Sequence, residues 1–146
     1  MLAFQFIGIA TPRPRLTRVL VAEDHTLLRR AIKLALEREG YDVLEAQDGM
    51  DLVQRLHESV LAGEPAPDLI LSDNGLPQAT GLEVLEGLRE AQWPLAFVLM
   101  SGDLDGRVEA EAYRLGARAV LEKPFDLQTL RQVVRDALAP TPEHAA

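Results

Sequence analysis

The sequence predicts a doubly wound α/β domain, a five-stranded parallel sheet with helices on both faces. Three observations carry this. Short apolar runs that do not alternate, Leu69-Ile70-Leu71 above all, read as strands buried on both sides. Each run is followed by a segment with apolar residues at helical spacing, and parallel strands need such crossovers. Glycines at helix ends, Gly40 and Gly116, supply left-handed caps that separate one unit from the next.

Residues 1–16 are expected to be an extension, because Thr11-Pro12-Arg13-Pro14-Arg15 disfavours helix and central strand alike. Its apolar start, Leu2 to Ala10, reads as a loose leader rather than a docked arm. Arg18 to Ala22 is the first strand, ending in Glu23-Asp24. Thr26 to Glu39 is a helix carrying Leu28, Ile32, Ala35 and Leu36, closed by Gly40. Asp42 to Ala46 gives the second strand, and Asp48 caps a helix bearing Leu52, Val53, Leu56 and Val60. The Pro-containing connector Ala62 to Pro67 leads into a third strand ending in Asp73, with Asn74-Gly75 and Pro77 turning the chain. Gly81 to Ala91 is the third helix, Pro94 to Met100 the fourth strand, and Leu104 to Leu115 the fourth helix. Ala117 to Glu122 is the fifth strand, and Asp126 caps a last helix with Leu127, Leu130, Val133, Val134 and Leu138. The domain therefore spans 17–139, and 140–146 is a tail too short to fold separately.

At 146 residues the chain suits one domain that buries about two thirds of its unfolded surface. It has no Cys, which excludes disulfides, a thiolate nucleophile and thiolate metal sites. His25, His57 and His144 are too scattered for a zinc cluster. Leu2 to Ala10 is too short to span a bilayer and has no basic residue before it, so a soluble, cytoplasmic protein is expected. The net charge of −8 has the wrong sign for gripping a phosphate backbone, and direct nucleic-acid binding is not expected.

Function is expected at one edge of the sheet. In open α/β sheets ligands bind outside the carboxyl ends of the strands, where strand order reverses. There the first strand delivers Glu23 and Asp24, the third Asp73, the fourth Ser101, and the fifth is followed by Lys123-Pro124. Taken singly, Asp73 equally fits a turn, Glu23-Asp24 a helix cap, Ser101-Gly102 a bend and Lys123 a strand exit; His25 reads as an exposed neighbour, not a ligand. Jointly they are more specific. Carboxylates about 4 Å apart repel by roughly 4 kcal/mol at an effective dielectric near 20, which calls for protonation or a cation. A hard divalent ion, Mg²⁺ foremost, relieves that cost while leaving positions for phosphate oxygens. One carboxylate can then attack phosphorus, with an ammonium steadying the equatorial oxygens.

These residues resemble the receiver domain of two-component response regulators over about 17–139. The matching pieces are Val19-Leu-Val-Ala-Glu23-Asp24, then Leu69-Ile-Leu-Ser-Asp73-Asn-Gly75-Leu-Pro77 with Gly81, then Val98-Leu-Met-Ser101-Gly102, then Glu122-Lys123-Pro124-Phe125. The resemblance implies a flavodoxin-like sheet of order 2-1-3-4-5. It makes Asp73 the phosphoacceptor for a histidine kinase or histidine phosphotransfer protein. Asp24 and Asp73 become direct Mg²⁺ ligands, Glu23 one through water and Gly75 one through its carbonyl. Lys123 matches the family's lysine, Ser101 its switch hydroxyl, and the Lys123–Pro124 bond is expected to be cis. The only catalysis implied is that of its own phosphorylation and dephosphorylation. An output protein, or a second copy, is the implied listener.

One position departs from the family. Three residues before the lysine an aromatic is usual, and Val120 stands there. The aromatic part of the switch is thereby in doubt, and Tyr113 is a substitute that its spacing does not require. Two other readings follow. A receiver-shaped adaptor binds partners without phosphorylation. A phosphate-ester hydrolase of similar topology, like the haloacid dehalogenases, needs a second Asp two residues after the nucleophile, where this chain has Gly75.

Overall fold

A computed structural model describes residues 15–102 and 105–140. Most of the expected leader and tail, and the expected helix start at Leu104, lie outside the described residues. In chain order the elements are β1 (Arg18–Ala22), α1 (Thr26–Arg38), β2 (Asp42–Ala46), α2 (Gly49–Leu61), β3 (Leu69–Asp73), α3 (Gly81–Glu90), β4 (Ala96–Ser101), α4 (Gly106–Arg114), β5 (Ala119–Glu122) and α5 (Leu127–Leu138). The strands pair in parallel in the order β2-β1-β3-β4-β5, as the resemblance implies.

Strand alternation divides the interior in two. Val19, Val21, Leu69, Leu71, Val98, Met100 and Leu121 face a core completed by Ile32 and Leu36 of α1 and Leu130 and Val134 of α5. Leu20, Ile70, Phe97 and Leu99 face the other way, against Leu52 and Leu56 of α2, Leu85 and Leu88 of α3 and Ala112 of α4. A sheet covered on both faces has no polar side, which is why the strands read as continuous apolar runs.

Local chemistry sets the boundaries. Asp48, Asp105 and Asp126 each accept a backbone N–H of the first helical turn, and Thr80 with Glu83 forms a reciprocal capping box. Two strands start later than the sequence pattern suggests. Pro94 has no N–H to give a ladder, and the Leu95 carbonyl is taken by the Arg89 guanidinium at 3.1 Å, so β4 begins at Ala96. The N–H of Ala117 closes the end of α4 on the Ala112 carbonyl at 2.9 Å, which delays β5 to Ala119. Gly40 and Gly116 have φ of 95° and 84°, the left-handed values expected of them.

Close approach, not backbone freedom, requires glycine at the start of α3. A Cβ on Gly81 would meet Leu99 Cδ1 at 2.7 Å and the Asp73 carbonyl oxygen at 2.9 Å. This contact holds α3 against the end of β3. Gly81→Ala is therefore expected to lose about 1–3 kcal/mol of stability, overpacking outweighing the better helix propensity of Ala. Gly106→Ala, whose Cβ meets nothing within 4 Å, is expected to be neutral or to gain up to about 1 kcal/mol. Urea unfolding of the two variants measures the difference.

Candidate functional site

The registers bring the chemistry to one edge. Ala22 pairs with Ser72, so Glu23 and Asp73 stand level at the ends of β1 and β3. Asp73 pairs with Met100 and Ser101 with Glu122, which sets Ser101 one residue and Lys123 two residues farther out. β1 and β3 flank the place where chain order reverses, the expected position for a ligand site.

At the centre is a buried ionic chain. Lys123 Nζ donates to Glu23 Oε1 at 2.5 Å and lies 3.3 Å from Asp73 Oδ1. Glu23 is 0% exposed and Asp73 6%. Burial pushes the Lys123 ammonium down, but its hydrogen bond to Glu23 and the charges of Asp73 and Glu23 outweigh that, and its pKa is held above the usual lysine value. The backbone delivers it: the Lys123 N–H donates to the Ser101 carbonyl at 2.8 Å, and the following bond to Pro124 is cis, as expected.

The six site residues named from sequence do not play equal parts in this geometry. Glu23, Asp73 and Lys123 continue the parity of Val21, Leu71 and Leu121, whereas Ser101 continues that of Phe97 and Leu99. Ser101 is buried at the end of β4. Val120 pairs with Leu99 and packs, partly buried, on the same core, while Tyr113 of α4 stands half-exposed. Gly75 lies against the acid: a Cβ there would be 3.4 Å from Asp73 Oδ2.

His25 is 76% exposed, as a neighbour of the site should be, yet it is engaged. It stands at the N-cap of α1 and makes no side-chain capping bond; its Nδ1 lies 3.2 Å from Glu23 Oε2 and 3.5 Å from Asp24 Oδ1. Nor does the Glu23-Asp24 pair hold the N-cap position. Ligand atoms of Glu23, Asp24 and His25 come within 4.8 Å of one another, a set that does not include Asp73. Buried and half-exposed carboxylate oxygens suit a hard divalent cation, so the donor chemistry fits Mg²⁺. Two supports were not legible from spacing. Arg29 of α1 donates to the Glu23 carbonyl at 2.8 Å and to Glu45 of β2 at 3.1 Å, and Asn74 Oδ1 accepts the Leu82 N–H at 3.1 Å, tying the loop after Asp73 to α3.

This geometry defines a parallel α/β domain with an acid-and-lysine pocket at its switch-point edge. Comparison with known proteins agrees. The family model for the response regulator receiver domain matches residues 19–135. The chain belongs to that family. The KDP operon transcriptional regulatory protein KdpE of Escherichia coli is 36% identical over 124 residues, covering 84% of this chain and 52% of that protein. The response regulator ArlR of Staphylococcus saprophyticus is 33% identical over 129 residues, covering 88% and 55%. The chain thus spans about half the length of these curated relatives. Among solved structures, the signal receiver domain of a putative Luxo repressor protein from Vibrio parahaemolyticus superposes with a TM-score of 0.76 at 27% identity, covering 85% of this chain and 91% of that one. The chemotaxis response regulator CheY4 of Vibrio cholerae gives 0.73 at 25%, covering 85% and 100%. No helix among the described residues is long and apolar enough to cross a membrane.

Removing one member of the ionic chain strands the other. Lys123→Met leaves Glu23 buried without its cation, and a loss of about 3 kcal/mol is expected, the low end for breaking a buried pair because Lys123 keeps some solvent contact. The double variant Glu23→Gln/Lys123→Met is expected to recover much of it, measured as a double-mutant cycle in chemical denaturation. Because the folded-state pKa of Lys123 is raised, its contribution is fully present below the usual lysine value and is lost as the pH rises from there through the higher folded-state value.

Proposed function

We propose that this domain is a phosphoacceptor in two-component signalling, with Asp73 the residue modified. The observation that carries the reading is the Glu23–Lys123–Asp73 chain: one ammonium held between two buried carboxylates at the switch-point edge. The donor is the phosphohistidine of a histidine kinase or of a histidine phosphotransfer protein. A carboxylate oxygen of Asp73 attacks phosphorus, the phosphorus–nitrogen bond breaks with its electron pair going to nitrogen, and the imidazole, already protonated on its other ring nitrogen, leaves in its neutral form.

Mg²⁺ would be held by Asp24, Asp73, Glu23 through water, and the carbonyl of Gly75; when bound it supplies charge neutralisation for the incoming phosphoryl oxygens. Lys123 stabilises the same oxygens from the side of β5, and the Ser101 hydroxyl takes up a hydrogen bond with the phosphoryl group. The modified state biases the α4 and β5 face and so changes a protein contact. With Val120 in place of an aromatic, that bias runs through Ser101 and the backbone it shares with Lys123. The output partner is a protein or a further domain, in line with relatives named as transcriptional regulators. Val120 favours one second reading, an adaptor whose binding ignores phosphorylation.

Incubation with acetyl phosphate and Mg²⁺, followed by intact-mass measurement, tests the proposal. One phosphoryl group is expected on the wild type, and none on Asp73→Asn or after removal of Mg²⁺ by EDTA. An unmodified wild type, or undiminished labelling of Asp73→Asn, contradicts it. The adaptor reading instead predicts equal partner affinity for wild type and Asp73→Asn.

A further inference from the structure

The outer face of α2 leaves apolar side chains in water. Met50, Val60 and Leu61 are 57%, 59% and 86% exposed and belong to neither core. Met50, Val53, His57 and Leu61 follow one another at intervals of three or four residues, with Val60 beside them, so they share one side of the helix. Along that side a groove runs between α2 and α3, from Ala79 before α3 to Trp93 after it. Val53 and His57 belong to both surfaces, which makes stripe and groove continuous. Gly87 keeps the groove open, since a Cβ there would meet nothing within 4 Å. An exposed apolar surface of this kind marks a contact site.

Three features select the occupant. The first is the backbone. No strand residue lines the groove, and both walls are helices whose hydrogen bonds are internal. An extended segment therefore finds no sheet edge to pair with, whereas a helix arrives with its backbone already satisfied. The second is charge. Glu83 lines the groove and Glu58 the stripe, and neither lining contains Lys or Arg. The net charge of −8 acts in the same sense at longer range. A basic partner complements this surface. A second copy presenting the same face would set acid against acid, and an anionic membrane surface is repelled likewise. The third is anchoring. Trp93 offers a large aromatic contact and Met50 an adaptable one, side chains suited to seating an apolar helix face.

We propose that the α2–α3 groove docks a basic amphipathic helix of a partner protein, its apolar stripe on Val84, Gly87 and Trp93 and its Lys or Arg side chains against Glu58 and Glu83. The ten residues of α3 span about 15 Å, so an occupant of about three turns fills the groove. None of the residues assigned to the Asp73 site takes part, and the proposal does not depend on phosphorylation.

The probe is a displayed library of helix-biased random peptides, about twelve residues long and free of tryptophan, selected on the full chain. Two variants serve as counter-targets. Gly87→Gln puts a side chain into the open groove and improves helix propensity, so its urea midpoint is expected to hold or rise. Leu61→Glu alters the stripe at a position 86% exposed. Enriched peptides are expected to repeat apolar residues at helical spacing with Lys or Arg on the flanks, and to bind the wild type about tenfold or more tightly than either variant. They are also expected to shift the emission of Trp93, the chain's single tryptophan, to the blue. Equal binding to the wild type and both variants overturns the proposal, as does a selection that yields no binder, no helical period or an excess of acidic peptides. A wild-type dimer that Gly87→Gln disperses also overturns it, assigning the groove to a second copy.

Discussion

Two carboxylates and one ammonium at the end of a parallel sheet set the terms for the rest of this molecule. Glu23 is fully buried and Asp73 nearly so, and taking such groups out of water costs several kcal/mol each unless a cation answers them. Lys123 answers both, from a strand two places removed from β3 in the sheet. The sheet must therefore be complete before the pocket is electrostatically tolerable. Completion of the sheet and the geometry of its carboxyl edge are coupled through the same three side chains.

Everything around the pocket limits how those side chains can move. Arg29 clamps the Glu23 carbonyl and reaches Glu45, so β1 and β2 leave the sheet together. Gly81 lets α3 sit on the Asp73 carbonyl, and Asn74 fastens the intervening loop to the first turn of that helix. Gly49 does the same for α2, where a Cβ would overlap Ala79. The freer side of the site is formed by Asp24 and His25, exposed at the start of α1. Under the proposed function, that is the side a cation or phosphoryl donor approaches, and the rigid side supplies the acceptor and the lysine.

Much of this was legible in the sequence because parallel sheets write themselves as uninterrupted apolar runs. Leu69 to Leu71 and Phe97 to Met100 have one environment on both faces, so their pattern is unambiguous, and the acid or hydroxyl that ends each run is conspicuous. Asp48 and Asp126 were readable as caps for a similar reason: the chemistry is local. The starts of β4 and β5 were not, because Arg89 and the closing turn of α4 decide them through contacts that spacing does not encode. The ionic partnership was only half visible. That Lys123 and the acids meet follows from strand ends sharing an edge, but that Lys123 bonds more closely to Glu23 than to Asp73, and that His25 leans on Glu23 instead of capping α1, depends on side-chain reach.

The most direct test of the central claim is a crystal structure of the domain with Mg²⁺ and beryllofluoride, a stable stand-in for a phosphoryl group. The account predicts beryllium bonded to an Asp73 oxygen, Mg²⁺ beside Asp24, and Lys123 Nζ drawn from Glu23 onto a fluoride. A structure in which Asp73 stays bare, with Lys123 still seated on Glu23 under saturating beryllofluoride and Mg²⁺, would contradict it.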